Sequence, residues 1–481
     1  MVNDRANRYG RAGVRFPTGI PSGGSATRHS LPRTVCSVVR ILEWGSGQAM
    51  DSAKIAALRG QPLGATCKAL PLDSDAHLTI DKIAALGWNV AEGDLDFPIM
   101  TLKESALAAN LALMASYCQR HRVELAPHGK TTMAPQLFQR QLEAGAWGIS
   151  AATVSQVRVL RAFEVPRVLL ANVLVDPGAI RWIAGELEAD PDFDFLCYVD
   201  SIRGVQMMEE ALLSGGLRRR LPVLIELGYI GGRTGCRDHE QASAVAARVA
   251  KSPVLELRGV SGFEGLIQAC STEHVVPQVK AFLREFHDVV VDLERRALFS
   301  RNRDVLVSSG GSAYFDIVVD TLGPDNFDFP VTTILRSGCY ITHDAEMYEL
   351  TSPLAQRATE QGAPALRPAL ELWATVWSRP EPGLAIIGFG KRDAPYDYRL
   401  PVADRRWSSV DGQMRDVRGR YEFTTVNDQH AFLRVPEDDE LAVGDRLVCG
   451  ISHPCGAFDK WRVLPVVDDD YHVIDAVFTL F

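Results

Sequence analysis

The sequence predicts an α/β protein in which a (β/α)8 barrel is combined with a second, β-rich domain near the carboxyl end. From Phe97 onward, short β-branched runs alternate with amphipathic helical stretches, which is the pattern of parallel βα units. About seven such units fit into roughly 250 residues, and this favours a closed barrel over an open doubly wound sheet. After about Leu366 the helical periods give way to short strands separated by turns.

The elements of the barrel follow one another in a regular order. Helices are expected at 107–118, 135–144 and 154–162, between runs rich in β-branched residues. Strands are expected at 123–126, 148–150, 168–171, 195–199, 223–227, 257–263, 305–308 and 331–335. No G-x-G-x-x-G motif follows the first strand, which argues against a dinucleotide-binding sheet.

Residues 95–365 are therefore expected to form the barrel, and residues 65–94 together with 366–481 the β-rich domain. Strands of that domain are expected at 372–378, 384–388, 422–426, 431–435, 446–450 and 471–481. The first 49 residues carry seven arginines, no lysine and two acids. We expect a disordered or wrongly annotated leader with translation starting at Met50, although the arginine-rich composition leaves a targeting segment as the alternative.

Composition excludes several classes of partner. With 46% hydrophobic and 23% charged residues the chain resembles an ordinary globular protein. A net charge of −9 argues against nucleic acid or an anionic membrane surface as the main partner. No segment approaches the roughly 18 apolar residues of a membrane helix. Nine cysteines without a framework of spacings favour free thiols in a reducing cytoplasm.

A lysine lies where a barrel collects its catalytic groups. Lys130 follows the strand at 123–126 and precedes the helix at 135–144. Its neighbours Pro127 and Gly129 shape a tight exit, and His128 adds a polar contact. An amine in this position can form an imine with a carbonyl cofactor and then act as a proton-transfer base.

Two glycine-containing loops follow the last two barrel strands, where phosphate sites of barrels commonly lie. The first loop holds Gly310, Gly311 and Ser312 and offers backbone N–H donors to a phosphate. The second ends at Tyr340, which could contact a phosphate or a ring. Arg233, in another strand-exit loop, either contacts a cofactor or forms a surface ion pair.

A pair of soft metal ligands lies near the carboxyl end of the chain. His453 and Cys455 are two residues apart, so that in an extended segment their side chains share a face. An imidazole and a thiolate suit Zn²⁺, and two protein ligands leave positions open for water and substrate. A buried structural pair without metal is the alternative reading of the same two residues.

These motifs together resemble the D-serine dehydratase and D-threonine aldolase family. The resemblance spans roughly residues 95–470 and rests on Pro127-His128-x-Lys130-Thr131, Ser308-x-Gly310-Gly311-Ser312, Arg336-Ser337-Gly338-x-Tyr340 and His453-Pro454-Cys455-x-x-Phe458-Asp459-Lys460-Trp461. It implies the fold of alanine racemase, in which a barrel binds pyridoxal 5'-phosphate (PLP) beside a β domain. It further implies a homodimer and a small-molecule D-amino acid as substrate.

Carried over by position, the resemblance implies roles for single residues. Lys130 would be the Schiff-base lysine, and His128 and Arg233 would lie near the cofactor. The cofactor phosphate would lie at Gly310, Gly311, Ser312 and Tyr340. His453 and Cys455 would hold Zn²⁺ or another divalent metal. The loop at 263–265 departs from the aromatic and histidine-rich versions of the eukaryotic D-serine enzymes, which leaves the substrate open.

The implied reaction is the dehydration and deamination of a D-β-hydroxy amino acid to a 2-keto acid and ammonia. Cys455 favours this reaction, because aldolase members of the family tend to show His-x-Asp at this place. A D-threonine aldolase-type cleavage, a racemase on the same fold and a PLP carrier without catalytic activity are the alternatives. D-serine, D-threonine and D-threo-3-hydroxyaspartate all remain open as substrates.

Overall fold

The computed structural model describes residues 50–72, 78–215, 219–267, 272–301, 303–357 and 362–481. The predicted leader at 1–49 lies outside the described residues. The described chain forms two sheets, one of eight parallel strands and one of ten mostly antiparallel strands. No helix of these ranges combines the length and the apolarity that are needed to cross a bilayer.

The parallel sheet and its helices follow three elements, α1 (Ser52–Arg59), α2 (Ile80–Ile83) and β1 (Ile99–Lys103). Strands then alternate with helices, as the sequence predicts. The elements are α3 (Glu104–His121), β2 (Glu124–Leu125), α4 (Pro135–Glu143), β3 (Ile149–Ala151), α5 (Val154–Ala162), β4 (Arg167–Val173), α6 (Pro177–Ala189), β5 (Asp194–Val199), α7 (Ile202–Gly215), β6 (Leu221–Leu227), α8 (His239–Ala250), β7 (Leu255–Gly262), α9 (Thr272–Arg295), β8 (Val305–Ser309), α10 (Phe315–Leu322) and β9 (Val331–Leu335).

Helix starts in this region follow capping chemistry. Thr153 accepts a hydrogen bond from the N–H of Gln156 at the start of α5, and thereby satisfies a donor that the helix leaves unpaired. Asp176 accepts in the same way from Ala179 at the start of α6, and Pro177 follows it with its backbone angle already set for a helix.

The eight parallel strands close into the predicted barrel. Their order is β2-β9-β8-β7-β6-β5-β4-β3, so β2 and β3 are the two ends of the sheet. The N–H of Trp147 donates to the carbonyl of Leu125 (2.7 Å) and the N–H of Ser150 to that of Pro127 (2.9 Å), which joins these two ends. Apolar side chains fill the interior, among them Leu169, Leu196, Leu224, Leu306 and Ile334. The predicted fold class is confirmed.

The second sheet consists of β1 and the strands that follow the barrel. After α11 (Met347–Thr351) these are β10 (Leu370–Glu381), β11 (Leu384–Ile387), β12 (Val402–Trp407), β13 (Met414–Asp416), β14 (Glu422–Val426), β15 (Ala431–Arg434), β16 (Arg446–Gly450), β17 (Val463–Val467) and β18 (Val473–Phe478). β1 pairs with β10 and β17. The expected barrel start at residue 95 is therefore too early, because β1 completes the β-rich sheet before the chain enters the barrel.

A glycine in β7 allows two barrel strands to approach closely. A Cβ atom on Gly259 would lie 1.8 Å from the carbonyl oxygen of Leu306 in β8, where no flexible side chain can give way. We expect Gly259→Ala to lower the free energy of unfolding by about 3 kcal/mol or more. The matched control is Gly185→Ala in α6, where nothing lies within 4 Å of the added atom. That change should stabilise the helix by about 0.5–1 kcal/mol. Urea unfolding measures both variants, and equal midpoints would contradict the packing argument.

Candidate active site

The lysine loop begins where β2 ends. Ala126 and Pro127 are buried, His128 bridges to Ser150 at the start of β3, and a single 3-10 turn, Gly129–Thr131, carries Lys130. The turn is packed tightly, since a Cβ atom on Gly129 would lie 3.0 Å from the side chain of Ile149. Lys130 is therefore held at the carboxyl end of the barrel strands on a short, fixed support, as the sequence predicts.

Some buried polar atoms at this mouth have no hydrogen-bond partner among the described residues, and two of them matter for the site. They are Nδ1 of His128 and Oε2 of Glu226 at the end of β6. Burial and the nearby charges of Lys130, Arg336 and Arg233 hold the pKa of His128 well below its usual value, so the ring is neutral at pH 7. Burial raises the pKa of Glu226. Unpartnered buried groups of this kind are costly unless a ligand meets them.

Arg336 braces the ends of three barrel strands. From the end of β9 it donates to Oγ of Ser308 (2.6 Å), to Oγ of Ser261 (3.3 Å) and to the carbonyl of Gly262 (2.6 Å). Its guanidinium is buried, and it adds a fixed positive charge beneath the lysine loop. In the sequence Arg336 stands only as part of a motif, and no local pattern indicates this bracing role.

The predicted phosphate loop already binds an anion of the protein itself. The N–H groups of Gly310 and Gly311 donate to the carboxylate of Glu264 at 3.1 and 2.8 Å, and the hydroxyl of Ser309 donates to it at 2.7 Å. Glu264 is fully buried. A cofactor phosphate held by the two glycine N–H groups would have to displace this carboxylate, so their cofactor role stays a prediction.

The other predicted cofactor contacts are spread around this loop. Ser312 accepts a hydrogen bond from the N–H of Cys339 (3.3 Å), which ties the two glycine-containing loops together. Tyr340 is buried, and its hydroxyl accepts from the amide of Gln141 in α4 (3.3 Å). Arg233 is exposed and stacks over the ring of Phe263.

His453 and Cys455 come together with a second cysteine, Cys339, whose part in the cluster no local motif indicates. Sγ of Cys339 lies 3.3 Å from Sγ of Cys455, and the ligand atoms of the three residues lie within 4.8 Å of one another. Cys339 follows β9, so a barrel loop meets the β-rich domain here. A soft residue in a loop at the end of a barrel strand was the signal that could have identified it.

Hydrogen bonds and charges couple the groups of this cluster to one another. A hydrogen bond from Cys339 and the contact with His453 hold the pKa of the Cys455 thiol well below its usual value. Burial opposes a charged His453, but Cys455 and Asp397 raise the pKa of the imidazole to about 9. Nδ1 of His453 lies 2.7 Å from Oδ2 of Asp397, so Nε2 is the ring nitrogen that would bind a metal. A carboxylate behind a histidine is the usual support of a metal-binding imidazole.

The cluster contacts the turn that carries the lysine. The hydroxyl of Thr131 lies 3.6 Å from Sγ of Cys455 and 3.9 Å from Sγ of Cys339. Thr131 is the residue after Lys130, so the sulfur cluster packs against the backbone turn of Lys130. The amine, the unpartnered buried atoms and the sulfur–imidazole donor set therefore fit PLP and a divalent metal.

Two family models match the chain. The "Alanine racemase, N-terminal domain" model matches residues 102–321, and the "Putative serine dehydratase domain" model matches residues 369–467. The chain is therefore similar to alanine racemases in its barrel region and to serine dehydratases in its β-rich region. The relatives and solved structures that match it include D-threonine aldolases and D-3-hydroxyaspartate aldolases and dehydratases, which are PLP-dependent lyases.

Curated relatives match over most of their length. A D-threonine aldolase of Arthrobacter sp. is 25% identical over 380 residues, which cover 78% of this chain and 90% of the relative. A 3-hydroxy-D-aspartate aldolase of Paracoccus denitrificans is 24% identical over 77% of this chain and 89% of its own length. Each match therefore covers about nine tenths of the aldolase relative.

Solved structures show the same fold. D-threonine aldolase of Filomicrobium marinum superposes with a TM-score of 0.66 at 23% identity, covering 82% of this chain and 97% of its own. D-threo-3-hydroxyaspartate dehydratase of Delftia sp. HT23 gives 0.63 at 19% identity, with 82% and 99% covered. Variants of a dehydratase of this name lack a histidine or the cysteine two positions after it, and the cysteine variant is in a metal-free form.

Proposed function

We propose that this protein is a metal-assisted, PLP-dependent lyase that dehydrates and deaminates D-β-hydroxy amino acids, giving a 2-keto acid and ammonia. The observation that carries the proposal is the contact of Thr131 with Cys455, because it brings a thiolate–imidazole pair next to the turn of Lys130. D-serine is the simplest candidate substrate. D-threonine and D-threo-3-hydroxyaspartate, which carry a further group on Cβ, are the other candidates.

The lysine side of the site deals with the α-proton. PLP, when bound, supplies an electron sink for the negative charge that develops at Cα. Lys130 anchors the cofactor and, once substrate has replaced it, its amine takes the α-proton. The ring of His128 beside it is neutral, because burial and the nearby positive charges lower its pKa. Arg336 keeps the strand ends fixed under the loop.

The cluster side of the site deals with the leaving group. A divalent metal held by His453 and Cys455 supplies a Lewis acid for the β-hydroxyl, which is otherwise a poor leaving group. Asp397 fixes the orientation and tautomer of His453. Thr131 holds the lysine turn against the thiolate. Lys130 could then act at Cα of a substrate while the metal acts at its β-oxygen.

Aldol cleavage is the second candidate, and the curated aldolase relatives favour it. The same two groups of residues could carry it out. In this reaction the β-hydroxyl would lose only its proton and would not leave as a whole, so the Cα–Cβ bond would break and give glycine and an aldehyde. A cysteine rather than an aspartate two residues after His453 favours dehydration, as does the histidine and cysteine pair altered in the dehydratase structures. The racemase and PLP-carrier alternatives give neither set of products.

Product analysis tests the proposal. Purified protein is incubated with PLP and zinc and with the D- and L-forms of serine, threonine and threo-3-hydroxyaspartate, and 2-keto acid, ammonia, glycine and aldehyde are measured. Equal amounts of keto acid and ammonia from D-forms alone would support the dehydratase. Glycine and aldehyde without keto acid would move the protein to the aldolase branch, and interconversion of D- and L-forms alone would contradict both.

The carboxylate behind the histidine provides a test of the metal role. Asp397→Asn keeps the shape of the side chain but weakens its hold on the imidazole, and we expect metal affinity to fall roughly 10–100-fold. Competition with a chromophoric zinc chelator measures this change. Asp428→Asn, a substitution of a second acid of the β-rich domain, is the control and should leave the affinity unchanged. Unchanged affinity in Asp397→Asn would contradict the proposed part of Asp397.

We also propose that the enzyme works as a homodimer in the cytoplasm. The seven cysteines of the described residues are all free thiols, which suits a reducing compartment. Light scattering of the purified protein tests the assembly, and a mass equal to that of a monomer would contradict it.

A further inference from the structure

We propose that Cys339 is a third protein ligand of the metal held by His453 and Cys455. The site would then be a centre of two thiolates and one imidazole with a single open position. The His-x-Cys motif by itself predicts two ligands. This inference rests on the proposed metal role and concerns how many ligands the protein supplies and which metal they select.

The distance between the two sulfurs carries the argument. Sγ of Cys339 and Sγ of Cys455 are 3.3 Å apart. Two thiolates on a tetrahedral zinc ion, each at about 2.3 Å, are about 3.8 Å from one another. A disulfide would need about 2.05 Å. The observed separation is thus about 0.5 Å from the metal-bridged arrangement and more than 1 Å from the disulfide.

Both thiols are held in place before any ion arrives. Cys339 is 3% exposed, its N–H donates to Ser312, and Gly338 packs so closely that a Cβ atom there would lie 2.7 Å from the carbonyl of His128. On the other side, the N–H of Ala345 donates to the carbonyl of Ile451 (2.8 Å), which fastens the segment before His453 to the same barrel loop. Little reorganisation is needed for one ion to bind all three side chains.

The ligand set decides which metal binds. Two thiolates favour soft and borderline ions such as Zn²⁺ and Cd²⁺ over Mg²⁺ and Mn²⁺, which prefer oxygen. Three protein ligands with one open position are the layout of catalytic zinc, and the fourth position is left for water or a substrate oxygen. The protein would therefore select zinc more strictly than a site with one sulfur.

X-ray absorption at the zinc edge tests the inference on the full-length protein. The protein is reduced with a phosphine, stripped of metal and loaded with one equivalent of zinc. We expect two sulfur neighbours at about 2.3 Å in the wild type and one in Cys339→Ser. Zinc affinity, measured against a chromophoric chelator, should fall at least about 100-fold, because even a residue behind a ligand is worth roughly 10–100-fold. Cys118→Ser, a buried cysteine in α3, is the control and should match the wild type.

The outcomes separate this inference from the proposed function. A single sulfur neighbour of zinc in the wild type, together with an unchanged zinc affinity in Cys339→Ser, would overturn Cys339 as a third ligand. If turnover still depended on zinc, the proposed function would remain. A wild type that binds no zinc and turns over D-serine without it would overturn both. The wild-type spectrum decides the sulfur count by itself, so the inference stays testable if Cys339→Ser does not fold.

Discussion

Lys130→Ala is expected to abolish turnover of every D-amino acid, with a loss of at least about 10⁴-fold, because one side chain both anchors the cofactor and serves as the base. The visible absorbance that PLP gives when it is attached to the enzyme should disappear with it. Initial rates of keto acid formation and an absorbance spectrum of the purified variant measure the two effects together.

Lys54→Ala is the matched control for this change. Lys54 forms a half-exposed surface pair with Glu164, so its loss should leave both the rate and the spectrum unchanged. A Lys130→Ala variant that kept the visible absorbance would contradict the assigned anchor. A variant that kept wild-type turnover would contradict the whole lysine side of the site.

Cys455→Ala is expected to leave the PLP absorbance in place and to lower turnover of D-serine about 10³-fold. Several kcal/mol of transition-state stabilisation are lost with the metal, and about 1.4 kcal/mol corresponds to a factor of ten. Zinc content by elemental analysis should fall in parallel. Cys118→Ala, which removes a buried thiol from α3, should retain metal, spectrum and rate.

This prediction is specific because turnover should fall while the PLP absorbance stays. A variant at Cys455 that lost the cofactor spectrum as well would indicate that the cluster supports the lysine loop structurally. Full turnover without metal in Cys455→Ala would contradict the assigned metal role.

The barrel could be predicted from the sequence because its strands are nearly continuous apolar runs between amphipathic helices. The β-rich domain was predicted less completely. β12 carries Arg405 and Arg406, whose charges hide the strand pattern, yet Arg406 is buried and donates to Asp445 at 2.7 Å. An ion pair of this kind joins residues that are far apart in the chain, so the local spacing of apolar residues does not predict it.

The site shows the same division between local and distant information. Lys130, His453 and Cys455 lie in local motifs, so they could be predicted as candidate site residues from residue type and spacing. Cys339 and Asp397 join the cluster only because the loop after β9 and the segment before β12 meet the segment after β16. Glu264, which follows β7 and accepts hydrogen bonds from the glycine loop, was missed for the same reason, since its acceptor role needs the packing of β7 against β8.

The most direct test of a site with a lysine side and a metal side uses enzyme that carries PLP but no metal. It is incubated with D-serine in D₂O, and the incorporation of deuterium at Cα and the formation of pyruvate are measured separately. We predict that deuterium still enters recovered D-serine, because Lys130 is intact, while pyruvate formation falls about 10³-fold and returns when zinc is added. Undiminished pyruvate formation without metal would contradict the account, because Lys130 and PLP would then suffice for the whole reaction.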